Sequence, residues 1–354
     1  MTLQQLHLTN FRNLGPRVAD SKNRSFDFSP QTTLVFGPNG AGKTNILEAI
    51  FLLAAGVSFR ALKNAQMIRW EENFAVIEGK TDKTELKITL QEKNGATKFS
   101  FFTDNIQKTR KQFLENFAAV IFLPEDIRII SGSPSRRRDF LDRILSPINW
   151  QYRLSLSTYT RALRQRNMIL KKIKEGLAKK EELVFWENLM LKNNLIIQKS
   201  REEFFSFANL YFSQHKESYF DSLYINYRQS HLSPTVFFDN FGGDLKFGKT
   251  SAGNHLDDFF IFDKRFNENA DNQNLAFWGS RGQQRLAVFA LKLAEIAFLE
   301  QIRGLKPVLL LDDIFSELDK KAKAIVASLL EEYQTVITST EENKDIIFNK
   351  ISRL

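Results

Sequence analysis

Gly37-Pro38-Asn39-Gly40-Ala41-Gly42-Lys43-Thr44 decides how this chain folds. It satisfies G-x-x-x-x-G-K-[ST] at every fixed position. Glycines let a backbone curl around an anion with its N–H groups pointing inward. A helix that starts at the end of such a loop presents its positive end to the phosphates. Lys43 is placed to reach β- and γ-phosphates, and the Thr44 hydroxyl to ligate Mg²⁺. The expected ligand is ATP, cradled by residues 37–44.

The flanks agree with a phosphate loop. Thr33 to Phe36 is a short apolar run that stops at Gly37, as a buried strand does. Asn45 to Ala55 is apolar at helical spacing through Ile46, Ile50, Leu53 and Ala54. Upstream, Leu3, Leu6, Leu8 and Phe11 predict another strand. Downstream, residues 74–102 alternate in three pieces, with the hairpin signal Asn94-Gly95 between the last two. Ala118 to Leu123 is a further buried strand candidate. From Ser133-Pro134, an N-cap followed by proline, helical spacing dominates to about residue 217. Short strands return after about residue 223. The expected fold class is α/β, an ABC-type P-loop ATPase head with an inserted, mostly helical lobe. Residues 1–125 and 220–354 would form a discontinuous ATPase lobe, and 126–219 the insertion.

Val308-Leu309-Leu310-Leu311-Asp312-Asp313 is the second chemical piece. Four apolar residues ending in two acids describe a buried strand whose carboxyl end reaches a ligand crevice. Asp312 is the candidate Mg²⁺ ligand. Asp313 is the candidate for orienting or deprotonating the attacking water. Ser280-Arg281-Gly282-Gln283-Gln284 opens a helix-patterned run less than thirty residues upstream. Taken alone it is a helix cap. In this position it resembles the ABC signature S-x-G-Q, and Ser316-Glu317-Leu318-Asp319 resembles the D-loop that follows. That resemblance implies that Ser280, Gly282 and Gln283 contact a nucleotide held by a second copy of the chain.

Composition narrows the class further. Hydrophobic residues make up 43% of the 354, enough for a substantial core. The 33 phenylalanines are expected mainly as core filling. There is no cysteine, which excludes disulfides and thiolate metal sites and fits a reducing cytoplasm. The N-terminus lacks the apolar core of a signal peptide, and no stretch has the length of a membrane span. Lys and Arg exceed Asp and Glu by 50 to 41, a net +9 that favours polyanion partners.

The combination resembles the RecF family. Asn10-Phe11-Arg12-Asn13 resembles its N-terminal box, and GPNGAGKTNILEAI its P-loop and following helix. Leu123-Pro124-Glu125-Asp126, Gly132-Ser133-Pro134 and Arg137-Arg138-Asp139-Phe140-Leu141-Asp142 resemble its middle motifs. Tyr159, Gln165-Arg166-Asn167, SRGQQR, ALKLAE and LLLDDIFSELD complete the set, which spans nearly the whole chain. The resemblance implies ATP and Mg²⁺ as cofactors, with Arg12 among the nucleotide contacts. It implies an ATP-dependent homodimer on double-stranded and gapped DNA, with RecR- and RecO-like mediators and slow hydrolysis that acts as a switch. Two departures stand out. Gly253-Asn254-His255-Leu256-Asp257-Asp258 replaces the family's G-P-H-R-D-D, so the role of that arginine does not transfer. Val336-Ile337-Thr338-Ser339-Thr340 lacks the ABC switch histidine, and Thr338 is the weaker candidate in its place.

DNA contacts are sought on residues 152–177. On a helical wheel Tyr152, Tyr159, Ala162, Leu163, Leu170, Ile173 and Leu177 share one arc. Arg153, Arg164 and Lys171 lie opposite, flanked by Arg161 and Lys174. Such a face either follows phosphates or is simply solvated. Arg166 falls on the apolar arc, either snorkelling or paired inside the lobe. Two other assignments share the ATPase motifs. An SMC-like architectural ATPase calls for a long heptad coiled coil that the insertion lacks. A transporter ATPase subunit has a far shorter insertion and no NFRN box.

Overall fold

The computed structural model describes residues 1–14, 24–215, 220–265, 274–314, 327–340 and 349–354. Along the chain run β1 (Leu3–Thr9), β2 (Arg24–Asp27), β3 (Thr32–Phe36), α1 (Lys43–Ala55), β4 (Phe74–Thr81), β5 (Glu85–Lys93), β6 (Ala96–Thr103) and β7 (Ile106–Lys108). Next come α2 (Arg110–Leu114), β8 (Ala119–Phe122), α3 (Arg128–Ser131), α4 (Pro134–Ile148), α5 (Trp150–Lys174) and α6 (Val184–Gln214). They are followed by β9 (Leu223–Arg228), α7 (Pro234–Phe247), β10 (Asp258–Asp263), α8 (Leu275–Trp278) and α9 (Arg281–Arg303). The last strands are β11 (Val308–Asp312), β12 (Thr335–Ser339) and β13 (Lys350–Arg353).

Contacts divide the chain into two compact units, Met1–Asp126 with Glu295–Leu354, and Ile127–Ala294. In the first unit, one sheet has the order β2-β1-β4-β5-β6-β7 with antiparallel neighbours. Asn94 and Gly95 turn β5 into β6 with positive φ at both positions, as a two-residue hairpin of the favoured hand requires. In β1 a register shift between Leu3 and Gln5 lets Leu3 and Leu6, three apart, face the same core. A second sheet, β13-β3-β12-β11-β8, is parallel throughout. Strands β3, β8, β11 and β12 are continuously buried runs rather than alternations, as strands covered on both faces are, while the edge strand β13 alternates.

Helix α1 belongs to one core with both sheets. Ile46, Leu47, Ile50 and Leu53 pack with Leu6, Ile77 and Ile88 of the antiparallel sheet and with Val35, Ile121, Leu310 and Val336 of the parallel one. A Cβ at Gly79 would come 2.5 Å from Leu53 Cδ1, so a larger residue in β4 would force the buried Leu53 side chain to shift.

The second unit is built on the α5–α6 pair, with β9 and β10 as a separate antiparallel ribbon. The sequence puts the return to the ATPase lobe near residue 220, whereas the two units divide at 294/295. Strands β9 and β10 pair only with each other among the described residues, and β9 packs on α6. Helix α5 also stops at Lys174, not at 177: Gly176 turns with positive φ, and Leu177 is exposed.

The interior of this unit is held by buried ions. Arg166 is fully buried and donates to Asp244 at 2.7 Å, Thr250 at 2.8 Å and Glu187 at 3.0 Å, so it is paired inside the unit. Arg201 donates to Asp142 and Asp257, each at 3.0 Å. Asp257 also accepts from Gln198, Tyr227 and the Ser230 amide. Much of the altered 253–258 box is therefore structural here. Asn254 and Asp257 are buried in this network, Asp258 is held by Arg137, and only Leu256 at the departed position is largely exposed.

Candidate functional site

Strand β3 ends at Phe36 and α1 begins at Lys43, so residues 37–42 are the loop between them. Gly42 caps the helix at φ 103°. A Cβ there would lie 2.8 Å from Asn13 Oδ1 and Leu14 Cδ2, which leaves glycine as the residue that fits. Pro38, Asn39 and Gly40 are exposed, Gly37 is buried and Ala41 half-buried. Lys43 folds back along the loop, and its Nζ donates to the carbonyls of Gly37 at 2.7 Å and Pro38 at 3.0 Å. Asn13 closes the loop from outside, donating to the Gly40 carbonyl.

Sheet order brings the acidic strand to this loop. In β13-β3-β12-β11-β8 the carboxyl ends of β3 and β11 lie on either side of β12. Thr44 Oγ1 donates to Asp312 at 3.0 Å from each carboxylate oxygen. Thr338, at the end of β12, donates to Asp312 Oδ1 at 2.6 Å and accepts from the Asp313 amide at 3.1 Å. Asp313 turns out of the strand at φ 48°. Thr44, Asp312, Asp313 and Thr338 thus converge. Thr338 is buried and ties the Asp312 side chain and the Asp313 amide in place.

Arg12 reaches α1 one turn beyond Thr44, and its partner is one that sequence reasoning missed. Glu48, one turn into α1, is wholly buried. It accepts from Arg12 at 2.6 and 2.9 Å, from Arg60 at 2.9 and 3.0 Å, and from Ser58 at 2.5 Å. Burial alone would push the Glu48 carboxyl up, but the hydrogen bonds from Arg12, Arg60 and Ser58 hold it below the ordinary value. Arg60 also bonds Asn45, and Asn45 bonds Asn13. Two guanidinium groups on one carboxylate leave a net positive charge beside the phosphate loop. Arg12, Asn13, Asn45, Arg60 and Trp70 line an open cleft of about 910 Å³. A glutamate inside the apolar run ILEAIFLLAA was the available signal.

Ser280, Gly282 and Gln283 belong to the second unit. The Gln283 side chain accepts from the Ser280 amide at 2.7 Å, and Ser280 Oγ accepts from the Gln283 amide at 3.3 Å. This reciprocal cap opens α9 with Ser280 and Gly282 exposed. Ser316-Glu317-Leu318-Asp319 lie outside the described residues. On α5, Arg161, Arg164 and Lys171 are exposed. Arg153 is half-buried against the Trp150 ring, with a buried Nη1 that has no partner, and does not stand on that open face.

Residues 2–351 match the family model described as the RecF/RecN/SMC N terminal domain. The chain is 34% identical over 366 residues to the DNA replication and repair protein RecF of Caldanaerobacter subterraneus subsp. tengcongensis, covering 97% of this chain and 95% of that one. It is 32% identical over 367 residues to the protein of the same name from Natranaerobius thermophilus, covering 96% and 91%. A solved structure of the recombination mediator protein RecF-ATPrS in the RecFOR pathway superposes with a TM-score of 0.84 at 30% identity, covering 100% of this chain and 96% of that one. One of RecF-ATP gives 0.82 at 31%, covering 99% and 95%. With a phosphate loop, an acidic strand and full-length similarity in agreement, the chain belongs to the RecF family of DNA replication and repair proteins, within the RecF/RecN/SMC group.

Proposed function

We propose that the chain is an ATP-switched DNA clamp of recombinational repair, a homodimer closed by ATP on double-stranded and gapped DNA. It would act with RecO- and RecR-like mediators to help load a RecA-type recombinase. The observation that carries this is the meeting of Thr44 and Asp312 at the mouth of the phosphate loop. Residues 37–44 bind the phosphates through backbone N–H groups, and Lys43 neutralises the β- and γ-phosphates. Arg12, fixed by Glu48, serves the nucleotide from the cleft side. The hydroxyl of Thr44 and the carboxylate of Asp312 are hard oxygen donors at one point, which fits Mg²⁺. When bound, that ion supplies charge neutralisation on the phosphate oxygens. Asp313 orients water for in-line attack and accepts its proton. Thr338 holds both acids still, and hydrolysis is slow and DNA-dependent.

The second copy's Ser280, Gly282 and Gln283 complete the site. The exposure of Ser280 and Gly282 at a helix N-terminus supports this, because such an end favours phosphate. Ser280→Asp keeps a good cap but places a negative charge at that end. Light scattering with ATP is expected to give dimer mass for the wild type and monomer mass for Ser280→Asp. If both dimerise alike, the composite site is wrong and Ser280 is a cap alone.

A further inference from the structure

Gly40 and Gly42 of the phosphate loop take positive φ, at 80° and 103°, but Gly37 does not. Its backbone lies outside the left-handed region that favours glycine, so the glycine at 37 has another cause. Leu354 supplies that cause. A Cβ built on Gly37 would lie 3.1 Å from Leu354 Cβ and 3.4 Å from the Leu354 carbonyl oxygen. The next nearest atom, Ala41 Cβ, would be at 3.5 Å, an ordinary contact. The first fixed glycine of the motif makes room for Leu354.

Strand β13 brings Leu354 to that point. It runs parallel to β3 with Arg353 opposite Phe36, and the Leu354 amide donates to the Phe36 carbonyl at 2.9 Å. The Leu354 side chain is half-buried and packs on the core of the first unit. The Phe36 carbonyl and the Gly37 N–H belong to one peptide, and a peptide is planar. The bond from Leu354 therefore fixes the direction of the first N–H of the loop as well. One bond further on, the Gly37 carbonyl accepts from Lys43 Nζ at 2.7 Å. A chain of direct contacts thus runs from Leu354 through Gly37 to the cation of the phosphate site.

We propose that Leu354 is a positioning residue for ATP: it orients the Phe36–Gly37 peptide and, through the Gly37 carbonyl, the Lys43 ammonium. This rests on the reading of residues 37–44 as the phosphate site. It gives β13, an edge strand made from residues 350–353, a part in nucleotide binding.

The test uses the full chain, with ATP affinity from equilibrium dialysis and melting temperature without nucleotide. Leu354→Ala keeps the amide and the Cβ that faces Gly37 but loses apolar packing. It is expected to melt lower than the wild type and to bind ATP equally well. Leu354→Gly removes that Cβ too and frees the backbone, and ATP affinity is expected to fall roughly two- to fivefold. Gly37→Ala pushes a methyl group against Leu354 and is expected to bind ATP more weakly than the wild type. Gly37→Ala/Leu354→Gly moves the methyl across the same contact and is expected to recover affinity over Gly37→Ala. Gly37→Ala/Leu354→Ala keeps the clash and is expected to recover none. Wild-type affinity in Leu354→Gly overturns the proposal, and so does recovery in both double variants or in neither. Affinity already lost in Leu354→Ala overturns it as well, because Leu354 is then a packing residue only. If Lys43→Met binds no ATP while Leu354→Gly binds as the wild type does, this assignment falls and the phosphate site stands. Wild-type binding in both variants sinks the two together.

Discussion

The Thr44 hydroxyl stands 3.0 Å from both carboxylate oxygens of Asp312, although the two residues are 268 positions apart. Beside them Lys43 is 8% exposed, and its ammonium donates to two carbonyls of its own loop. Lys43→Met removes that cation while keeping an unbranched side chain of similar length. ATP binding is expected to be lost, and equilibrium dialysis measures it. Undiminished affinity would falsify the phosphate-site assignment.

Asp313→Asn keeps the size of the side chain and the hydrogen bond from the backbone amide to Thr338 but removes the base. ATP binding is expected to persist while hydrolysis stops. Single-turnover phosphate release together with nucleotide titration separates the two. Turnover near the wild-type rate would assign water activation to another group.

Thr338→Val deletes the hydroxyl that donates to Asp312 and accepts from the Asp313 amide. Loss of one positioning hydrogen bond of about 1–2 kcal/mol predicts a fall in kcat of roughly five- to thirtyfold with a smaller change in ATP affinity. A kcat equal to wild type would leave Thr338 with a packing role only.

Glu48→Ala leaves Arg12 and Arg60 without their shared carboxylate. The first unit is expected to lose about 2–4 kcal/mol, as when one partner of a buried ion pair is removed. Because Glu48 ionises below its unfolded value of 4.5, its contribution is complete above that pH and is lost as pH falls through the folded value. Denaturant melts at neutral pH and below pH 4.5 test this. The gap between wild type and Glu48→Ala should narrow in acid, and a constant gap would count against it.

His255 gives the second unit a different acid response. Burial holds its imidazole below the ordinary 6.5, against the Thr250 carbonyl, which raises it. The ring meets Tyr159 at 2.8 Å and Thr250 at 3.1 Å. With the folded pKa lowered, stability is full above pH 6.5 and declines as the unfolded chain gains a proton the folded chain refuses. Melting temperature is expected to drop from pH 7 towards pH 5, and less steeply in His255→Gln. Parallel slopes for the two proteins would remove His255 as the cause.

Much of the first unit was legible because its signals are local. A loop of fixed glycines, an apolar run ending in two acids and Asn94-Gly95 each specify backbone within a few residues. The cap at Ser280 was equally visible. Glu48, Arg201 and Asp257 were not, since their partners lie in other elements and a lone charged residue does not name its counter-ion. The wheel drawn through residue 177 overran the helix because Gly176 carries no apolar signal, only freedom to turn. Arg153 looked exposed by angle, yet its environment depends on the Trp150 ring.

The parallel sheet places β3, made from residues 32–36, between strands drawn from residues 335–353. A nascent chain therefore exposes the apolar strand that leads into its phosphate loop until residues 335–353 have been synthesised. Contacts of such long sequence separation are slow to close and leave apolar edges open to wrong pairing. The helical unit, whose 127–294 contacts are complete much earlier, can assemble first. Premature termination before residue 335 would yield a chain with an ordered helical half and an aggregation-prone, nucleotide-incompetent remainder.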